Sequence, residues 1–425
     1  PGLPGFFRTR TRTGELASAE KELHFVKTGR NVRLSAGCPS PASLPTSMYI
    51  LDRYLLRQFL QTFVICYLSL TGLYVVFDAF TQLDEFLRWA ETGGGLLAVM
   101  GPHYFYRSVW FFDRTAGLLT LTAAMFTVTW IQRHQELTAI MSAGISRIRV
   151  VVPIIVAAVA ISVLAAVNRE MVIPVFRNEL AMKPRDMTGD VGRELVPRYD
   201  NQTDILLRGQ ATFADRKRIA KPDFLLPQSL DHYGKRLTAD EAFYMPAEGN
   251  RPSGYLLKGV DEPAGLDSQP SLTLDGQPVI VTRRDAPAWL QPGECFIVSN
   301  YSFDQLTAGN SWRDFSSTTD LIRGLHNRSL DFGADVRVAV HARIVQPLMD
   351  ISLLFLGLPL VLKRENRNVF VAIGLCSLVT SAFVLVAIAF QYLGSIYAIS
   401  PALGAWAPLI LFVPVAAALA ETMWK

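Results

Sequence analysis

What this sequence lacks sets the first limits on what it does. Its four cysteines lie far apart: Cys38 near the start, Cys66 and Cys376 in apolar runs, and Cys295 in a polar middle segment. They show neither close spacing nor an obvious pairing, which argues against a disulfide framework or a zinc site. The six histidines are scattered and no His-Glu-x-x-His occurs. A Gly-x-x-x-x-Gly-Lys-Ser/Thr loop is also missing, so the chain should not hydrolyse nucleotide through a P-loop of its own. The net charge is small, +4 from 41 basic and 37 acidic residues, and the basic residues flank apolar runs rather than forming a stripe. That distribution does not suggest nucleic-acid binding. Ser and Asp are plentiful in the middle segment but form no acid–base pair or triad, and His232, His326 and His341 read as surface residues. Residues 1–47 hold no apolar core ahead of a small-residue cleavage site, so no signal peptide is expected. They read as a disordered cytoplasmic tail, or as sequence translated from upstream of a start at Met48.

What the chain does have is apolar length. Half of its 425 residues are apolar, gathered in roughly the first half and the last fifth. Long apolar runs are transmembrane candidates. Six spans are expected: Gln58–Phe77, about Val109–Ile131, about Val150–Val167, Ile344–Leu362, Val369–Tyr392 and Leu403–Met423. Arg53 and Arg57 precede the first span, while Asp78, Asp84 and Glu85 follow it. Lys363-Arg-Glu-Asn-Arg367 makes a basic turn between the fourth and fifth. The positive-inside bias then places both termini in the cytoplasm. Tyr104, Tyr106 and Trp110 read as an outer aromatic belt, and Gly93-Gly94-Gly95 as the end of the first external connection. Pro153 falls in the first turn of the third span, where a missing N–H costs nothing.

Between the third and fourth spans the pattern changes. Thr203–Arg208, Gly254–Gly259, Pro278–Thr282 and Cys295–Ser299 are short β-rich pieces separated by Asp275-Gly276, Gly249-Asn250 and Gln291-Pro-Gly293. They predict an extracytoplasmic β-sandwich or jellyroll. Ser316–Leu325 reads as a capped helix returning to the membrane. The expected fold is thus an α-helical membrane protein with six transmembrane helices, three before and three after an inserted periplasmic β-jellyroll or β-sandwich domain. The expected divisions are a leader at 1–47, membrane helices at 48–169 and 341–425, and the periplasmic domain at 170–340.

The stretch Ile131–Arg149 joins the second and third spans and is neither apolar enough to cross a bilayer nor polar enough to be loose. At helical period Leu137, Ile140, Met141, Gly144, Ile145 and Ile148 share one side; Gln135, Thr138, Ser142, Ser146 and Arg149 share the other. Arg133, Arg147 and Arg149 hold it on the cytoplasmic side. The apolar stripe reads as packing against neighbouring spans, while Glu136, at its border, is an acid that could pair with an arginine of another protein. In the outer part of the second span Asp113-Arg114 is a charged pair at membrane depth, which points either to a cavity or to side chains that snorkel to the headgroups. Arg114 is therefore a candidate for a lipid path, with Arg107 as a second.

Gln135-Glu136-Leu137 through Ser142-Ala143-Gly144-Ile145-Ser146, with Arg149 and Pro153 following, resembles the segment after the second span of the LptF/LptG (YjgP/YjgQ) permeases. These are the membrane subunits of the lipopolysaccharide-export ABC transporter. Met48-Tyr-Ile-Leu-Asp-Arg-Tyr54, the Ser317–Leu325 helix, His341-Ala-Arg343-Ile-Val-Gln-Pro347-Leu and Gly357-Leu-Pro359 add to the resemblance, which covers nearly everything from Met48 to Lys425.

The resemblance implies two such permease subunits on a dimeric LptB-like cytoplasmic ATPase. That ATPase would hold ATP and magnesium, with no cofactor in this chain. It also implies an LptC-like bitopic protein and a periplasmic β-jellyroll bridge. Lipopolysaccharide, or a related envelope glycolipid, would be extracted from the inner membrane and passed to that bridge. By the same resemblance the coupling helix lies near 133–146, with Glu136, Arg133 and Gly144 as ATPase-coupling residues and the first and fifth spans as lateral gates. Lysines that some members carry at the outer end of the first span are replaced here by Tyr74-Val-Val-Phe-Asp78 with Asp84-Glu85. The prolines often found in the second span are missing from Val109–Ile131. Two other classes compete with this reading: a membrane-anchored periplasmic scaffold for envelope assembly, and an ion-coupled transporter. The second expects charged or broken helices near mid-membrane, and the mid-span positions are almost bare of ionisable groups.

Overall fold

The computed structural model describes residues 46–92, 95–181, 192, 194–213, 216–249, 251–274, 276–286, 288–308, 310–362 and 369–424. The expectations for the leader, for Cys38, for Gly93-Gly94 and for the Lys363–Arg367 turn lie outside these residues.

Seven helices precede the strands: α1 (Thr46–Thr81), α2 (Leu83–Thr92), α3 (Leu96–Arg133), α4 (Glu136–Ser142), α5 (Arg147–Val167), α6 (Ile173–Val175) and α7 (Arg177–Ala181). A π turn, Asn168–Val172, joins α5 to α6. Six helices follow the strands: α8 (Phe303–Ala308), α9 (Asn310–Phe315), α10 (Thr318–His326), α11 (Ala334–Leu362), α12 (Val369–Ser395) and α13 (Pro401–Trp424).

Among the described residues, six stretches are long and apolar enough to cross a membrane: Ile50–Thr81, Leu96–Arg133, Arg147–Val175, Ala334–Leu362, Ile373–Ser395 and Pro401–Glu421. They divide into two kinds. The most apolar windows of the second, third and fourth are 56%, 44% and 61% buried against protein, while those of the first, fifth and sixth are only 11%, 22% and 22% buried. The bundle is therefore centred on α3, α5 and α11, with α1, α12 and α13 presenting apolar faces outward. A lipid solvent accepts such faces without cost, since helices in a bilayer gain no hydrophobic drive from pairing.

The second membrane helix starts at Leu96, not Val109, and contains Pro102 on its exposed side. The apolar run alone underestimates it because its first turns carry Tyr104, Tyr106, Arg107 and Trp110. At 38 residues α3 is about 57 Å long, nearly twice the hydrocarbon thickness, so one end projects beyond it.

Between α7 and α8 lie nine strands: β1 (Arg198–Asp200), β2 (Ile205–Leu207), β3 (Gly209–Phe213), β4 (Arg218–Leu225), β5 (Arg236–Met245), β6 (Gly254–Glu262), β7 (Leu272–Leu274), β8 (Gln277–Val281) and β9 (Glu294–Val298). They form one antiparallel sheet in the order β1-β2-β4-β5-β6-β9-β8-β7, with β3 also paired to β4. Its core gathers Ile205, Leu207, Ile219, Phe224, Leu237, Tyr255, Leu257, Ile280, Cys295 and Ile297. The Tyr255 hydroxyl donates to the carbonyl of Tyr301 at 3.0 Å, which satisfies the only polar atom of that buried ring.

Candidate functional site

Polar chemistry concentrates at the two ends of the bundle. At the β-domain end, Asp113 of α3 accepts from Arg169 of the π turn at 2.9 Å, with side chains only 6% and 15% exposed. The neighbour-pair reading of Asp113-Arg114 therefore fails for the acid, since a helix points adjacent side chains about 100° apart. Arg114 turns the other way, lies 54% exposed, stacks on the Trp110 ring at 5.7 Å and approaches Asp314 at 3.7 Å. Arg114 thus sits at the cavity rim, partly exposed.

The π turn continues this junction. Glu170 accepts from the Thr318 backbone N–H at 2.8 Å and from the Thr318 hydroxyl. A carboxylate thus satisfies an otherwise unpaired donor in the first turn of α10, where negative charge is favoured. Ser317 caps the same helix, accepting from the Asp320 N–H at 3.1 Å, as the sequence predicts. Arg343 of α11 donates to the carbonyls of Ser316 at 2.5 Å, Arg313 at 3.0 Å and Asp314 at 3.3 Å, closing the C-terminal end of α9. Arg313 pairs with Asp335. Asn168 donates to the Val109 carbonyl at 3.0 Å, binding the end of α5 to α3. Together Asp113, Arg114, Arg169, Arg313, Asp314 and Asp335 line a cavity of about 320 Å³, with Arg343 and Gln346 on its α11 wall.

Below that wall stands a residue that sequence reasoning passed over. Asp350, near the middle of α11, accepts from the Gln346 amide at 2.9 Å and from the Ser162 hydroxyl of α5 at 3.3 Å. Gly117 of α3 makes room for it: a Cβ there would stand 2.3 Å from the Asp350 carboxyl. Asp350 is the exception to the expectation that mid-span positions are almost bare of ionisable groups, while Asp113, Arg169 and Arg343 lie nearer the β-domain end of the bundle. The signal was available, since an aspartate within the apolar run Ile344–Leu362 carries a default functional hypothesis.

Arg107 lies elsewhere. It stands within electrostatic reach of Tyr74, His103 and Tyr104 beside Asp78, and the Tyr104 hydroxyl donates to Asp78 at 3.1 Å. The two lipid-path candidates therefore face different parts of the molecule, Arg114 the cavity and Arg107 the end of α1.

At the other end of the bundle, Ile131–Arg149 is not one helix. α3 runs through Arg133, Gln135 turns left-handed at φ 60°, α4 spans Glu136–Ser142, and Gly144 turns left-handed again at φ 82°. Gly144 is the residue type that adopts such a φ without steric cost. Arg133 thus closes α3, Glu136 opens α4 and Gly144 follows it; only Glu136 of the three is in α4. No residue of α4 is fully buried. The stripe reads as packing for Leu137 and Ile140, which cover a small core of Leu55, Ile131 and Val150 together with Leu51. Glu136 accepts from the Tyr54 hydroxyl at 3.0 Å. Arg149 binds Asp52 at 2.7 Å. Arg133 and Gly144 are exposed.

The architecture defines a polytopic membrane protein, three spans on either side of an inserted antiparallel β domain. Residues 53–210 and 278–422 match the family model described as lipopolysaccharide export system permease LptF/LptG, more than half of the chain, and the chain belongs to that family. It is accordingly a multi-pass inner-membrane component of lipopolysaccharide export, a transporter subunit and not an enzyme. The described residues of the unmatched interval between the two regions fold as the end of β3, β4–β6, β7 and the first residue of β8. Curated protein sequences include no match to the chain.

Proposed function

We propose that this chain is one of two membrane subunits of an ABC transporter, driven by a separate dimeric cytoplasmic ATPase that docks on α4. The observation that carries the reading is the construction of 131–149. A short, exposed helix is held out between two left-handed turns at the bundle end remote from the β domain, and opens on a carboxylate. Glu136 is the residue assigned to an arginine of the ATPase, a charge-assisted contact of the stronger kind. Arg133 and Gly144 flank it as exposed surface. ATP and magnesium belong to the partner. In this orientation both termini face the cytoplasm and the β domain, with residues 170–340, occupies the periplasm. There it would meet a bitopic partner and the bridge that receives lipopolysaccharide or a related glycolipid. Arg114 and Arg107 are candidates for contact with an anionic headgroup, each with an acid nearby that such a headgroup would displace.

Purification of the assembled complex tests this. A P-loop ATPase and bound glycolipid, identified by mass spectrometry, are expected. A complex free of ATPase would favour the scaffold reading instead. Ion-coupled transport gains one observation, the Asp350 carboxyl within α11. It is separated by whether lipid release from proteoliposomes follows added ATP or an imposed ion gradient.

A further inference from the structure

The helix that opens the chain's membrane part is the least embraced of the six, with 11% of its window buried. Its base is nonetheless tied to α4 and to the adjoining ends of α3 and α5 by three contacts of different kinds. Tyr54 donates to Glu136 at 3.0 Å. Asp52 binds Arg149, the third residue of α5, at 2.7 Å. Leu55, fully buried, packs on Ile131 and Val150 beneath Leu137 and Ile140, with Leu51 beside it. One oxygen of Asp52 faces inward with no hydrogen-bond partner among the described residues, and Arg149 holds the other. With side chains 31% and 37% exposed the pair is partly solvated, and it acts beside the Tyr54 and Leu55 contacts rather than alone.

We propose that Tyr54 and Asp52 are positioning residues that fasten the base of α1 to α4 and to the first turn of α5 that follows it, so that a partner pressing on Glu136 moves α1 with it. This rests on the docking reading above and adds the path by which docking reaches the membrane. Both ties lie within one turn of α1. Above them one face of the helix bears on α3 through Phe63–Phe112, Tyr74–Phe111 and the Tyr67 hydroxyl, which donates to the Ser108 carbonyl at 3.0 Å, and most of its apolar window faces outward. A displacement at the base is therefore delivered along a rigid rod some 30 residues long, about 45 Å at helical rise.

The test uses the full complex in lipid nanodiscs, with spin labels at Leu68 of α1 and Leu348 of α11, both exposed on the bundle surface. In the otherwise unmodified complex, adding ATP and then trapping the nucleotide should change the Leu68–Leu348 distance. Asp52→Arg should abolish that change and lower lipid released per ATP hydrolysed several-fold while hydrolysis continues. The exchange Asp52→Arg with Arg149→Asp should restore both, a rescue that a general packing defect would not give. If Asp52→Arg does not assemble, Asp52→Asn and Tyr54→Phe, which remove one charge or one oxygen, should each show a smaller loss of the same ratio. Unchanged distances and ratios in assembled variants would overturn the tie and leave the docking reading intact. An unmodified complex lacking any ATPase would overturn the docking reading and the tie with it.

Discussion

Two ion pairs hold opposite ends of the same helix bundle, Asp113–Arg169 beside the β domain and Asp52–Arg149 beside α4. In the first the side chains are 6% and 15% exposed; in the second they are 31% and 37% exposed. The first belongs to a continuous junction in which Glu170, Arg343 and Asn168 each join one chain segment to another. The second is one of only a few contacts around a helix with no fully buried residue. Beside the β domain the charges are sunk and joined into a network of hydrogen bonds between chain segments; beside α4 they are fewer and wetter. The difference separates residues that should govern stability from residues that should govern coupling.

The sharpest way to break this comparison is Asp113→Ala. It strands the buried Arg169 guanidinium, and losing one member of a buried pair costs about 3–5 kcal/mol. Thermal melting of the purified chain should show a large fall in stability. Glu136→Ala, tested the same way, should change stability by under about 1 kcal/mol, the range for an exposed polar contact. Equal losses would mean that the two ends do not differ as described. A smaller effect is expected from Gly117→Val, which forces the Asp350 carboxyl away from α3. Overpacking of this kind costs about 1–3 kcal/mol, and the melting temperature should drop without loss of ATPase binding. Pairing it with Asp350→Ala should recover most of that loss, since the crowded carboxyl is then gone.

The smallest effect concerns the β domain. Burial pushes the Cys295 thiol well above its ordinary value of 9.0, so its thiolate is disfavoured in the folded state. Because the unfolded thiol releases its proton first, stability contributed by this group is complete below that ordinary value and is lost as pH rises beyond it. Maleimide should label Cys295 slowly at neutral pH and rapidly in denaturant, and a shallow alkaline decline in melting temperature should vanish in Cys295→Ala.

How much of this was legible in the sequence depends on how local the cause is. Six apolar runs, the Ser317 cap and the β-rich pieces around Ile205, Leu257, Ile280 and Cys295 could be read because each rests on a few neighbouring residues. β4 and β5 were not singled out, and the structure shows why. Lys221 sits at φ 44° in β4, so the buried positions run Ile219, Pro222, Phe224 and break the two-residue alternation, while β5 carries Asp240 and Glu241 on its outer side. The turns at Gln135 and Gly144 interrupt a periodicity that looks continuous from 131 to 149. Most of the junction was invisible for a different reason. Arg169 finds Asp113 across 56 residues and Thr318 finds Glu170 across 148, and no spacing rule connects partners so distant. Asp350 was visible as a letter and overlooked as a feature; only the space above Gly117 and the hydroxyl of Ser162 show what surrounds it.

The central claim is that energy enters this permease through Glu136 at the start of α4. Lipopolysaccharide release from proteoliposomes, measured with ATP hydrolysis in the same sample, tests it most directly in Glu136→Arg. The account predicts that the variant chain folds and reaches the membrane while ATP-driven release is lost, either because the ATPase no longer docks or because its hydrolysis is no longer coupled. Release per ATP equal to that of the unmodified complex would contradict it.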